Sequence, residues 1–141
     1  MDIKNTVQSI CKKYKTQDPY ELIRSMGIIL QYGEKMDTVR GFYLYANRIK
    51  LICVGNNLPY YMEKFVISHE LGHAILHGKS SAPFLQSTFL STDRLEIEAN
   101  KFATELVIPD ETIFEHWDYT VDQWSMFYGL PREIIELRFK C

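Results

Sequence analysis

His69, Glu70 and His73 sit in the stretch FVISHELGHAILH, residues 65–77, and form H-E-x-x-H. On a helix that spacing puts both imidazoles one turn apart on the same face, close enough to grip one ion. Zinc is the metal expected from the ligand type and from availability, since affinity alone does not select it over manganese or cobalt. Glu70, beside the first histidine, is placed to serve as general base towards a water at the metal rather than as a ligand. His77 continues the face, but a helix cannot curl its third turn back onto the ion. It reads as a helix-end histidine favoured by the C-terminal dipole, and a third ligand must come from elsewhere in the chain.

The elements around the motif follow from local pattern. Leu58-Pro59 opens a long helix that carries the motif and stops at Gly78. Asp93 is an N-cap for the next helix, DRLEIEANKFATELVIP, which Pro109 ends. On that helix Glu96, Ala99, Asn100 and Ala103 share one face, so a carboxylate and an amide lie beside two small side chains that let another helix approach. Glu96 is therefore the third ligand, and Asn100, one turn on, is placed to hold either that carboxylate or the outer nitrogen of a ligand histidine. Glu98 points about 160° away from Glu96 by the helical period and reads as solvent-facing.

Upstream, Ile3, Val7, Ile10 and Tyr14 recur at helical spacing, and Asp18-Pro19-Tyr20-Glu21 starts a short helix that Gly27 closes. A strand over residues 28–32 and a hairpin, GFYLYANRIKLICVG, turning at Ala46-Asn47-Arg48, give a sheet of about three strands whose hairpin could bind an extended peptide by strand addition. Residues 79–92 have no clear period and read as a loop. After Pro109 come short helices, with Thr120 as a cap, Gly129 as a stop and Pro131 restarting the chain. The expected fold is α+β, one domain over residues 1–141. Residues 1–58 form helices plus the small sheet, 59–109 the metal-binding helix pair, and 110–141 short C-terminal helices.

Composition narrows the function. The chain of 141 residues is 46% hydrophobic, enough for one packed core, and its net charge of −2 comes without a basic run, so neither nucleic acid nor a membrane surface is an expected partner. The final pair of helices has the outline of a helix-turn-helix, but Glu133 and Glu136 offset Arg132 and Arg138 where a DNA reader needs basic and amide side chains. Three widely spaced cysteines, Cys11, Cys53 and Cys141, make neither a disulfide framework nor a thiolate zinc site, and with no export signal or membrane span the expected location is cytoplasmic.

HELGHAILHG followed by E-x-x-A-N-x-F-A-x-x-L-x-x-P, from Glu96 to Pro109, resembles the ImmA/IrrE-type metallopeptidases of prophages and integrative elements. The likeness extends to the hairpin and to the closing segment. It implies a small gluzincin-like zinc metalloendopeptidase with His69, His73 and Glu96 as ligands and Glu70 as base. It also implies an anti-repressor role, cleavage of a helix-turn-helix phage or mobile-element repressor. The alternative is a module that keeps the metalloprotease fold and binds a repressor without cutting it.

Overall fold

A computed structural model describes residues 2–34, 40–78, 84–86 and 93–140. The connection expected after Gly33, most of the stretch 79–92 read as a loop, and Cys141 lie largely or wholly outside these residues. Seven helices and four strands are present among them. The first helix, α1 (Ile3–Tyr14), is capped by the Asp2 side chain, which accepts from the Asn5 N–H. Next, α2 (Pro19–Ser25) has Asp18 accepting from the Tyr20 N–H and Pro19 in its first turn, as the sequence predicts.

The sheet is mixed. Strands β2 (Gly41–Ala46) and β3 (Ile49–Gly55) form the expected hairpin, and β1 (Ile29–Gly33) lies parallel to β3. Asn47 and Arg48 both adopt positive φ, 52° and 63°, the two-residue turn whose twist matches that of the flanking strands. A short fourth strand, β4 (Phe84–Gln86), pairs antiparallel with β2, giving the order β1-β3-β2-β4. Among the described residues β1 and β4 flank the hairpin, β4 along residues 42–44 only. A peptide strand would therefore add at the outer edge of β1 or β4, or at the ends of the hairpin they leave uncovered.

The long helix α3 (Tyr60–Leu76) packs against both β2 and β3. Every residue from Phe65 to Ala74 is buried, because a helix that is apolar nearly all round must be covered on all sides. On its far side runs α4 (Arg94–Val107), followed by α5 (Asp110–Glu115), α6 (Val121–Tyr128) and α7 (Arg132–Phe139). Thr120 and Gln123 make a reciprocal capping box on α6, and Gly129 ends it at φ 65°.

Two apolar clusters meet at the α3–α4 pair. One joins α1, α2 and the sheet through Leu22, Ile23, Ile52, Val66, Ile67 and Leu71 to Phe102 and Leu106 of α4. The other joins Phe65 of α3 and Ala103 and Val107 of α4 to Trp124, Tyr128, Ile134 and Ile135. Burying each such Leu, Ile or Val is worth roughly 1.5–3 kcal/mol relative to leaving it in water, so the helix pair is clamped from both sides. Within the pair, a Cβ on Gly72 would come within 3.1 Å of Phe102 Cβ. The bare glycine lets the two backbones approach.

Candidate metal centre

The histidines face α4 from the middle of α3. His69 Nε2 lies 2.9 Å from Glu96 Oε2, and His73 Nε2 lies 2.9 Å from Glu96 Oε1. All three residues are buried, and their donor atoms lie within 4.8 Å of one another. The structure therefore brings together the three residues that the sequence singles out as ligands.

The outer nitrogens of the two rings are engaged elsewhere. Asn100 Oδ1 is 2.7 Å from His69 Nδ1, a contact that matches the second of the two tasks open to Asn100. His73 Nδ1 faces His77 Nδ1 at 3.1 Å, and His77 Nε2 reaches Glu98 Oε1 at 2.9 Å. Contrary to the expectation from the helical period, Glu98 is accordingly not solvent-facing. Being turned away from Glu96 keeps it from the same ion but not from the last turn of α3, where His77 is the C-cap. The exposed Arg94 guanidinium flanks Glu98 at 3.5 Å.

Charge states follow from these surroundings. Burial alone would raise the Glu96 pKa, but the hydrogen bonds and charges of His69 and His73 outweigh it and bring the group down to about 2. Burial lowers the pKa of His73, outweighing the opposing pull of Glu96. Burial raises Glu98 less than His77 and Arg94 lower it. Glu70 goes the other way: complete burial, with the Glu96 charge in support, lifts its carboxyl well above the ordinary range.

The donor set suits a divalent cation. One ionised carboxylate and imidazole nitrogens converge on one point, with each ring's other nitrogen hydrogen-bonded outside it, which is the N/O ligation that zinc accepts. Glu70, on the same helix but separate from that trio, is a buried carboxyl with an elevated affinity for protons, the property required of a general base. The buried helix pair thus presents a candidate site for a divalent cation with a proton-seeking carboxyl close by.

The chain belongs to the family described as the IrrE N-terminal-like domain, a peptidase family (Peptidase_M78) whose profile matches residues 24–140. It is similar to "Uncharacterized immunity region protein 2" of Bacillus phage phi105, 40% identical over 139 residues that span 96% of this chain and 88% of that protein. It is also similar to "Metallopeptidase ImmA" of Bacillus subtilis (strain 168), 27% identical over 143 residues, 96% of this chain and 83% of the relative. This is the family that the HELGHAILHG and Glu96–Pro109 motifs resemble, and a metal ion is implied with it. No helix among the described residues is long and apolar enough to cross a membrane.

Two sets of functional or buried charged residues escape reading from sequence alone. The His77–Glu98 pair carries a faint signal, a histidine one turn beyond H-E-x-x-H and a second glutamate near the ligand one. The other is the buried Glu105 on α4, which Arg138 Nε approaches at 3.4 Å and Lys101 at 3.2 Å. Nothing in its local pattern sets it apart from an ordinary surface glutamate.

Proposed function

We propose that this chain is a cytoplasmic zinc-dependent endopeptidase that cuts a helix-turn-helix transcriptional repressor of a phage or mobile element. The observation that carries the reading is the convergence of His69 Nε2, His73 Nε2 and both Glu96 oxygens on one point, with the buried, proton-seeking Glu70 beside the first histidine. The names of the relatives, an immunity region protein and a metallopeptidase, support a protein substrate connected with phage immunity.

His69, His73 and Glu96 would hold the ion. Bound zinc would supply Lewis-acid polarisation of the scissile carbonyl and of the attacking water. Glu70 accepts the proton that the water sheds as it attacks, then returns it to the nitrogen of the leaving amine. The same carboxyl serves in turn as base while the water attacks and as acid when the amine leaves. Asn100 Oδ1 accepts from the His69 Nδ1–H and keeps Nε2 aimed at Glu96. Burial fixes these side chains in place: His69, Glu70 and His73 are packed inside the fold.

The test is incubation of the zinc-loaded protein with the repressor encoded beside its gene, wild type and Glu70→Gln in parallel, read by intact mass. Defined fragments from the wild type, with the rate falling by roughly 10²–10⁴ in Glu70→Gln, are expected for loss of a general base. If both proteins bind the repressor and neither cuts it, the chain is instead the non-cleaving binding module.

A further inference from the structure

His73 is held from outside by a different device from His69. Behind His69 stands one neutral acceptor, the Asn100 amide oxygen at 2.7 Å. Behind His73 stands a second imidazole, His77, with the Glu98 carboxylate behind that, at 3.1 Å and 2.9 Å. The side chains of both outer residues are largely shielded, 6% and 15% exposed. His77 reaches this place because it ends α3. Its backbone N–H bonds back to the His73 carbonyl at 2.9 Å, and its ring lies 5.3 Å from that of His73.

We propose that Glu98 and His77 form a positioning relay that holds the His73 ring by its outer nitrogen when Nε2 is given to the metal. The inference rests on the ligand set proposed above. Its logic is a chain of donors and acceptors, each link fixing the next. An ionised carboxylate only accepts hydrogen bonds, so facing Glu98 the His77 Nε2 must carry the proton. A neutral His77 then has a bare Nδ1, which must accept. Without the metal the His73 Nε2 faces the Glu96 oxygen at 2.9 Å; when it is given to the metal, the neutral ring carries its proton on Nδ1 and donates it across the 3.1 Å gap to His77 Nδ1. The reverse arrangement would aim an N–H at the ion. The carboxylate also strengthens the pair electronically, since its charge, passed through the His77 imidazole, makes His73 a better electron donor. The site therefore has one ligand steadied by a neutral amide and one by a charged relay.

The relay can be dissected by zinc affinity, measured by competition with a chromophoric chelator, so that no substrate is needed. His77→Phe keeps the ring volume and removes the acceptor. Glu98→Ala removes the end of the relay, and Glu98→Gln restores an oxygen that can accept from the His77 Nε2–H. We expect His77→Phe and Glu98→Ala to bind zinc about 10- to 100-fold more weakly, with melting of the metal-free proteins little changed, and Glu98→Gln to recover most of the loss. Wild-type affinity in His77→Phe or Glu98→Ala would overturn the relay. So would a Glu98→Gln protein as weak as Glu98→Ala, because the isosteric amide keeps both volume and acceptor, and equal weakness would assign the effect to the carboxylate charge acting directly rather than through the hydrogen-bonded relay. Should His77→Phe fail to fold, the two Glu98 variants decide alone. A wild type that fails to bind zinc, or a His73→Ala variant that binds it undiminished, would overturn the ligand assignment and the relay with it. Tight wild-type binding with unaffected relay variants would overturn the relay alone.

Discussion

At the scale of single residues, Glu70 combines two demands that conflict. The proposed role asks for a carboxyl that attracts protons, and the fold supplies it by burying that carboxyl close to Glu96. An ionised Glu70 therefore weighs against folding. Unfolded, it titrates near its ordinary value of 4.5; folded, it titrates well above. A raised folded pKa means that its contribution to stability is fully present below the unfolded value and is lost as pH climbs through the folded one. Glu70→Gln lacks that loss. Thermal melts of the metal-free proteins across pH 4 to 8 should thus show the Gln variant gaining on the wild type as pH rises, and a constant gap would contradict the assigned environment. The motif residues are legible in the sequence because H-E-x-x-H is local, five consecutive residues whose two histidines share one helix face. The His77–Glu98 pair is not, because it depends on how far the end of α3 extends past the flank of α4, a distance that no helical period encodes.

At the scale of elements, local chemistry predicts most boundaries. Asp2, Asp18, Asp93 and Thr120 each accept from a backbone N–H at a helix start. Glu96 is an instructive departure. Three residues after Asp93 it fits the pattern of a capping box, yet its carboxylate faces His69 and His73 instead. The hairpin turn shows how little of the turn type depends on glycine here: Arg48 holds φ 63°, a region where a side chain costs roughly 1–2 kcal/mol. Arg48→Gly should raise stability by about 1 kcal/mol in chemical denaturation, once the greater freedom of glycine in the unfolded chain is set against the relieved strain. An unchanged or lower midpoint would mean that Arg48 makes a compensating contact. The fourth strand is hard to read because three residues are too few for an alternating pattern to show.

For the molecule as a whole, the helices that carry the candidate ligands stand between two apolar clusters, and the buried Arg138 links them to the C-terminal segment. Arg138 of α7 donates from Nε to the Ile108 carbonyl at 2.8 Å and pairs with Asp110 at 2.6 Å, with Glu105 close by. Replacing Arg138 with Met leaves Glu105 with Lys101 alone in a buried setting and should cost about 3 kcal/mol or more, as breaking a buried pair does. Asp110 provides the matching pH test. Its hydrogen bond from Arg138, outweighing burial and aided by Lys4, holds its pKa below the ordinary value of 3.8. A depressed folded value contributes stability above the unfolded pKa and loses it as pH falls through the folded one. Asp110→Asn should therefore be less stable than the wild type at neutral pH, with the gap closing on acidification. A gap that persists to the lowest pH would assign the effect to packing. None of this network stands out in the sequence, since Arg138 and Glu105 look like surface residues until α7 is docked on α4.

The arrangement of the helix pair also bears on how such a chain can change over time. His69, Glu70, His73, His77, Glu96, Glu98 and Asn100 all lie on α3, its C-cap and α4, while the sheet and the C-terminal helices contribute packing to that pair. Substitutions in the outer parts need only preserve volume and polarity to keep the pair clamped. The surfaces through which this chain would meet a partner can therefore drift with that partner, generation by generation, while the chemistry is inherited unaltered.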